Sequence, residues 1–287
     1  MKGIVLAGGK GSRLHPLTQS VSKQLLPIYD KPMIYYPVST LIAAGIRDIL
    51  IISTPQDLPL FRRLLGDGSQ WGCSFSFAEQ AKPNGLAEAF LIGETFIDKQ
   101  PVTLILGDNL FHGAQELKNI SSIISQKGAH IFAYQVKEPQ RYGVVEFDQN
   151  NKVIGIEEKP AAPKSSFVVP GIYVYDQSVV ERAKALQPSS RGELEITDLN
   201  KQYLAEGLLN ISPLESGAAW LDTGTIESLM EASQYVQAIQ SRQGILVGAP
   251  EVAALKSGAI TREEFKVLAA QADNSAYGKA IQSIAKR

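Results

Sequence analysis

Three apolar runs constrain this chain most: Ile4-Val5-Leu6-Ala7, Ile49-Leu50-Ile51-Ile52-Ser53 and Val102-Thr103-Leu104-Ile105-Leu106. They are rich in β-branched residues and lack polar alternation, the pattern of strands buried on both faces of a parallel sheet. Helix-like stretches lie between them, at about Met33 to Ala44, Leu58 to Leu65 and Leu86 to Phe96, with a further strand over Ser74–Ala78. Such alternation builds βαβ units, so the predicted fold is α/β with a mostly parallel sheet flanked by helices. Ligands of open α/β sheets lie beyond the carboxyl ends of the strands. Gly8-Gly9-Lys10-Gly11-Ser12-Arg13 and Gly107-Asp108-Asn109 both fall there.

The first of these loops has the chemistry of a phosphate cradle. Glycines let backbone N–H groups approach an anion without a Cβ in the way, and Arg13 supplies the opposing charge. It is neither of two familiar fingerprints. A dinucleotide G-x-G-x-x-G starting at Gly9 needs a small residue where Leu14 stands, and a P-loop needs Ser or Thr after its lysine, where Lys10 is followed by Gly11. A plain strand-to-helix turn with a solvated arginine fits the loop alone equally well.

Composition narrows the partners. The 287 residues carry a formal net charge of −1, so no electrostatic footprint for nucleic acid or an anionic membrane exists and any phosphate site must be local. No apolar run approaches the about 18 residues of a membrane span, and the first eight residues only loosely mimic a signal peptide. Cys73 is the single cysteine and reads as a small core residue, which excludes an intrachain disulfide and fits a cytoplasmic location.

From Tyr134 the texture changes. Tyr142–Asp148 alternates, Gln149-Asn150-Asn151 reads as a turn, and Val153–Glu158 follows as a hairpin partner, with another strand at Phe167–Tyr175. An antiparallel insertion closing over the site, where a second substrate is held, is expected. Helices at about Gln177–Leu186 and Leu194–Glu206, a strand at Leu208–Pro213 and a long helix from Ile226 to about Ile239, capped by Thr225, complete a core over residues 1–240. Residues 241–287 read as a small helical appendage for assembly or regulation.

Asp108 closes an apolar strand opposite the glycine loop, a placement suited to Mg²⁺, which takes a few carboxylates plus phosphate oxygens. Asp222, before Thr223-Gly224-Thr225, is the natural second carboxylate, although alone it reads as a helix cap. Arg13, Lys23, Lys159 and Arg191 supply the several cations that phosphoryl transfer needs on a triphosphate, where catalysis is mostly positioning and charge neutralisation. Taken singly, each is an ordinary solvated charge. His15, His112 and His130 lack any zinc spacing, and no G-x-S-x-G elbow supports a hydrolase.

Eight blocks in order make the chain resemble the sugar nucleotidylyltransferases, and among them the short bacterial glucose-1-phosphate thymidylyltransferases. They are KGIVLAGGKGSRLHPLT at the start, SKQLLPIYDKPMIYYP at Ser22–Pro37, LLGDGSQWG at Leu64–Gly72, LILGDN at Leu104–Asn109, RYGVVEFD at Arg141–Asp148, EEKP at Glu157–Pro160, RGELEITDLN at Arg191–Asn200 and AWLDTGT at Ala219–Thr225. The resemblance implies a Rossmann-like nucleotide-diphospho-sugar transferase fold and the Mg²⁺-dependent reaction of dTTP with glucose 1-phosphate to give dTDP-glucose and pyrophosphate. It implies that Gly8, Gly11, Ser12 and Arg13 hold the triphosphate, that Lys23 neutralises it, that Gln24 contacts the nucleoside, and that Gln80 and Gly85 read the base. It further assigns Mg²⁺ to Asp108 and Asp222, and the sugar phosphate to Tyr142, Gly143, Glu158, Lys159, Val169 and Arg191. A homotetramer feeding rhamnose and related deoxysugar pathways comes with it.

Several positions depart from the family's habits. The base-binding stretch is Gln80-Ala81-Lys82-Pro83-Asn84-Gly85, Pro170 removes a backbone donor beside the sugar pocket, and Glu215-Ser216-Gly217-Ala218 replaces a Gly-Arg-Gly-aromatic stretch. Ile226 and Ala259 stand where histidine and tryptophan are usual. The resemblance places the groups lost at 215–218, 226 and 259 mainly in parts associated with subunit contact and a second, inhibitory nucleotide-sugar site, so intact catalysis with inhibition by dTDP-rhamnose weaker than in a typical relative is expected.

Overall fold

The computed structural model describes residues 1–123, 127–149 and 152–286, with the side chains of residues 121 and 122 left out. Its apolar runs form parallel strands: Lys2–Ala7 lies between Val102–Leu106 and Asp48–Ser53, with Ser74–Glu79 at the edge. Alternate residues enter opposite cores. Ile4 and Leu6 pack with Phe90, Ile97 and Tyr175, whereas Val5 and Ala7 pack with Ile34, Val38 and Phe61. Burial on both faces is why these runs show no polar alternation. Ala7 is in register with Ser53, and Ser53 with Glu79, so the loops that follow open along one edge.

Past Val102–Leu106 the sheet turns antiparallel through Ile172–Tyr175 and Ala129–Gln135, and it ends in Phe167–Val168, Gly143–Phe147 and Val153–Glu158. Leu209–Pro213 pairs parallel with Ala129–Gln135. The antiparallel part is therefore a continuation of one ten-stranded sheet. The expected strand Phe167–Tyr175 is two strands, which share Ala129–Gln135 as one neighbour but pair on the other side with Gly143–Phe147 and Val102–Leu106 respectively. The break falls at Pro170, which has no N–H to give, and Gly171, whose N–H donates to the Asn109 side chain at 3.1 Å. The expected helix Leu86–Phe96 is likewise two, Glu88–Ile92 and Glu94–Ile97, meeting at Gly93 close against Ile4 and Leu50. The expected turn Gln149-Asn150-Asn151 lies partly outside the described residues, and Lys152 donates to the Asp148 carboxylate at 2.9 Å beside it.

Thr225 caps the helix Ile226–Gln243 with a reciprocal pair of bonds to Ser228. Three helices follow, Pro250–Lys256, Arg262–Gln271 and Ala276–Lys286. Their Val252, Ala254, Phe265, Ala269 and Ile281 join the same apolar cluster as Val38, Leu41 and Trp71. No helix among the described residues is long and apolar enough to cross a membrane.

Gly72 shows how tightly this last segment docks. Its φ is 64°, and a Cβ there would lie 2.2 Å from the Ala259 carbonyl oxygen. Gly244 also has φ 64° but open space around it. In urea denaturation Gly72→Ala is expected to cost about 3 kcal/mol, conformational strain plus clash, and Gly244→Ala about 1 kcal/mol from strain alone. Equal losses would show that the contact with Ala259 does not matter.

Candidate active site

The glycine loop leaves the first strand through two left-handed residues, Gly9 at φ 91° and Gly11 at φ 58°. Buried Leu14 anchors the short turn Ser12–Leu14, while the Thr18 hydroxyl donates to the Gly11 carbonyl at 2.8 Å. Arg13 is exposed, and its guanidinium lies 3.1 Å from where a Gly224 Cβ would stand, with an Asp222 oxygen 3.2 Å from the same point. A second turn, Lys23–Leu25, faces the loop. Buried Gln24 accepts from the Ser22 hydroxyl at 2.6 Å and donates to the Gly8 carbonyl at 3.3 Å.

Lys23 Nζ is bonded to the Asp108 carboxylate. Burial alone would push that carboxyl up, but Lys23 and the Asn109 amide at 3.0 Å hold it below its usual range. Asp222 ends the strand Ala219–Asp222, which pairs with Asn109–His112 and sets Asp222 opposite Asn109. Its carboxyl is pushed up, by burial first and by the negative Asp108 second. Thr223 fixes the crossing, donating N–H and hydroxyl to the Asp108 carbonyl at 3.1 and 2.8 Å.

This donor set fits a hard divalent cation. The repulsion between Asp108 and Asp222, which helps push Asp222 up, is what a cation between them would relieve. Among the described residues no group of three or more His, Cys, Asp or Glu could hold a metal by itself, so further ligands would have to come from substrate. Two carboxylates completed by substrate phosphate oxygens are the ligands Mg²⁺ prefers.

A cleft of ≈ 210 Å³ opens between the loops. Gly8, Lys23, Gln24, Gln80, Gly85 and Asp108 line it, over an apolar floor of Leu6, Leu86 and Leu106. Gly11, Ser12 and Arg13 lie outside that lining, Arg13 on the Asp222 side. A second cluster forms where the hairpin meets the helix Ile196–Ala205. Glu158 accepts from the buried Thr197 hydroxyl at 2.6 Å, with Lys159 Nζ at 3.2 Å and Arg191 at 3.9 Å. Arg191 itself pairs with Glu195 at 2.8 Å. Lys159 adopts φ 44°, an unusual conformation for a side chain, held by its N–H bond to the Tyr142 carbonyl at 3.0 Å. Val169 donates to the Gly143 carbonyl at 2.9 Å, and the Tyr142 ring packs 5.1 Å from Trp220.

Periodicity could not show which cations converge. The structure puts Lys23 and Arg13 with the two aspartates, and Lys159 and Arg191 with Glu158. Sequence reasoning missed Asn109, Thr197 and Trp220 beside these groups, and Glu88, whose carboxylate accepts from Gln80 Nε2 at 2.7 Å. Asn109 is the connector: its Oδ1 accepts from Trp220 Nε1 at 2.6 Å and from Gly171 N–H at 3.1 Å. Its place directly after Asp108 was the available signal.

A nucleotidyl transferase family profile matches residues 2–239. The chain belongs to the nucleotidyl transferase family. Its relatives share its whole length: glucose-1-phosphate thymidylyltransferases of Xanthomonas campestris pv. campestris and Neisseria meningitidis are 53% and 52% identical. The alignments cover all of this chain and 97% and 100% of those proteins. A Bacillus anthracis crystal structure assigned as a glucose-1-phosphate thymidylyltransferase, solved with sucrose, is 42% identical with a TM-score of 0.77 over 82% of this chain and 94% of that one. A UDP-glucose pyrophosphorylase bound to UDP-glucose is 25% identical with a TM-score of 0.69, over 83% of this chain and 98% of that one. Both carry the architecture described above for this nucleotidyl transferase.

Lys23→Met leaves Asp108 buried without its cation, so burial dominates and raises the carboxyl. In the wild type this carboxylate, held below its unfolded value, stabilises above about pH 4 and the benefit fades as pH falls. In the variant a penalty instead grows as pH rises through the raised value. The expected loss is about 3 kcal/mol at pH 8 and clearly less at pH 5 by urea denaturation. A loss independent of pH would remove the pair from its role.

Proposed function

We propose that this chain transfers the thymidylyl group of dTTP to α-D-glucose 1-phosphate, giving dTDP-glucose and pyrophosphate. One observation carries the reading: the two aspartates with Lys23 and Arg13 adjoin the cleft lined by Gly8, Gln24, Gln80 and Gly85, in a chain whose full-length relatives bear that activity in their names.

A phosphate oxygen of the sugar phosphate attacks the α-phosphorus in line, and the bond to the β-phosphate bridging oxygen breaks with pyrophosphate as leaving group. Backbone N–H groups of Gly8, Gly11 and Ser12 hold the triphosphate, Lys23 draws charge from the α-phosphate region, and Arg13 steadies the departing pyrophosphate. Gln80 and Gly85 meet the base and Gln24 the nucleoside. Lys159 and Arg191 meet the attacking phosphate, while Glu158, aimed by Thr197, accepts from a sugar hydroxyl in a pocket walled by Tyr142, Gly143 and Val169. Asp108 and Asp222 would hold Mg²⁺, whose charge would neutralise the triphosphate.

Pyrophosphate release with glucose 1-phosphate tests this directly, comparing dTTP with UTP, with and without Mg²⁺. Turnover with dTTP that requires Mg²⁺ is expected, and Asp108→Asn should lower it by at least about a hundredfold. Preference for UTP overturns the base assignment alone, and no turnover with any pair leaves a nucleotide-sugar binding regulator instead.

The same reading makes the protein a cytoplasmic homotetramer at the entry to dTDP-deoxysugars such as dTDP-rhamnose. Exposed Tyr29, Ile226 and Met230 give such an assembly apolar surface to cover. Light scattering at micromolar concentration should return four times the 31.1 kDa chain mass, and a monomer would refute assembly.

A further inference from the structure

We propose that Glu88 is a positioning residue for base selection: it locks the Gln80 amide so that its carbonyl oxygen, and never its NH₂, faces the base. The assignment rests on the proposed nucleotide site and goes one step beyond it, by naming what decides which bases that site accepts.

An amide side chain can turn over and exchange donor for acceptor, which normally leaves its preference ambiguous. Here it is not ambiguous. Glu88 opens the short helix Glu88–Ile92, and its carboxylate accepts from Gln80 Nε2 at 2.7 Å and from Asn84 Nδ2 at 2.7 Å. A carboxylate has only acceptors, so flipping Gln80 would set oxygen against oxygen and lose a charge-assisted bond. Nε2 also leans toward the Gly85 carbonyl at 3.5 Å, another acceptor.

The opposite end of the amide is left for ligand. Gln80 is buried, its backbone N–H donates to Ser53 at 2.8 Å, and no donor among the described residues reaches Oε1. That oxygen stands 2.5 Å from where a Gly8 Cβ would be, beside the wall of the cleft, so a side chain at position 8 would cover it. The loop is braced on its far side, where Leu194 N–H donates to the Asn84 carbonyl at 2.7 Å.

A fixed acceptor at this point selects bases by their pairing edge. Thymine and uracil offer an imide N3–H, which Oε1 accepts. Cytosine presents a lone pair at N3, and the two acceptors repel. Glu88 thus makes the site one for imide-bearing pyrimidines, without itself touching the nucleotide.

The test measures dissociation constants of dTTP and dCTP by calorimetry on the full chain, wild type against Glu88→Gln and Asn84→Ala. Glutamine at 88 matches glutamate in shape but can itself turn and face either end of Gln80. The ratio of dCTP to dTTP constants should fall by about tenfold or more in Glu88→Gln, through weaker dTTP and stronger dCTP binding. Asn84→Ala loosens the loop but keeps the grip on Gln80, so it should keep the ratio. An unchanged ratio in Glu88→Gln, with an unchanged melting temperature, overturns the assignment. An equal fall in both variants does so too, because loop packing would then be the cause. A wild type that does not distinguish the two nucleotides overturns the assignment together with the nucleotide-site reading, whereas failure confined to Glu88→Gln leaves that reading standing.

Discussion

The whole site hangs on keeping one buried carboxylate charged. Asp108 sits at the end of an apolar strand, where burial would drive it toward protonation. Lys23 arrives from a turn 85 residues earlier in sequence, and its charge, together with the Asn109 amide, reverses the outcome. A deeply buried charge is tolerable only when paired and hydrogen-bonded. That requirement ties the glycine-loop region to the centre of the sheet, because the strand Lys2–Ala7 lies directly beside Val102–Leu106.

Asp222 occupies the opposite electrostatic state a short distance away. Burial and its neighbour both push its carboxyl up, with Lys23 and Arg13 only partly compensating. The two carboxylates are thus shifted in opposite directions at one sheet edge, and the upward shift of Asp222 is the one that a further positive charge would offset. Asn109 carries this arrangement toward the sugar side: it touches Asp108 with its amide, and Trp220 and Gly171 with its carbonyl. A larger residue at 171 would displace the Asn109 side chain, since a Cβ would stand 2.6 Å from its oxygen. The break in the expected strand Phe167–Tyr175 therefore serves a contact at the site.

The parallel half of the sheet was legible because burial on both faces writes itself as continuous apolar runs, and the strands at 48–53, 74–79 and 102–106 lie close to where those runs stand. Ala129–Gln135 escaped because His130 and the small Ala129 and Ala133 blur its pattern, and its place is decided by pairing with strands far along the chain. In the site, residue types and motif order pointed to Arg13, Lys23, Asp108, Asp222, Glu158 and Lys159, because charged groups in loops and at strand ends stand out. What stayed hidden were neutral or paired partners. Thr197 is one helix residue among many until its hydroxyl is found 2.6 Å from Glu158, and Glu88 looks like an ordinary first-turn acid. Spacing identifies groups that carry charge; only the fold shows which groups aim them.

That division has a chemical logic. The reactive residues are grouped in two charge clusters, one around Asp108 and Asp222 and one around Glu158, each with its own cations. Each cluster is nearly balanced internally, so neither imposes a large field on the other and each keeps its shape alone. Under the proposed function a triphosphate at the first would tip its balance toward negative charge, and a sugar phosphate at the second would do the same. Local clusters of this kind, rather than overall charge, are what give a chain of net charge −1 cations to set against two polyanionic substrates.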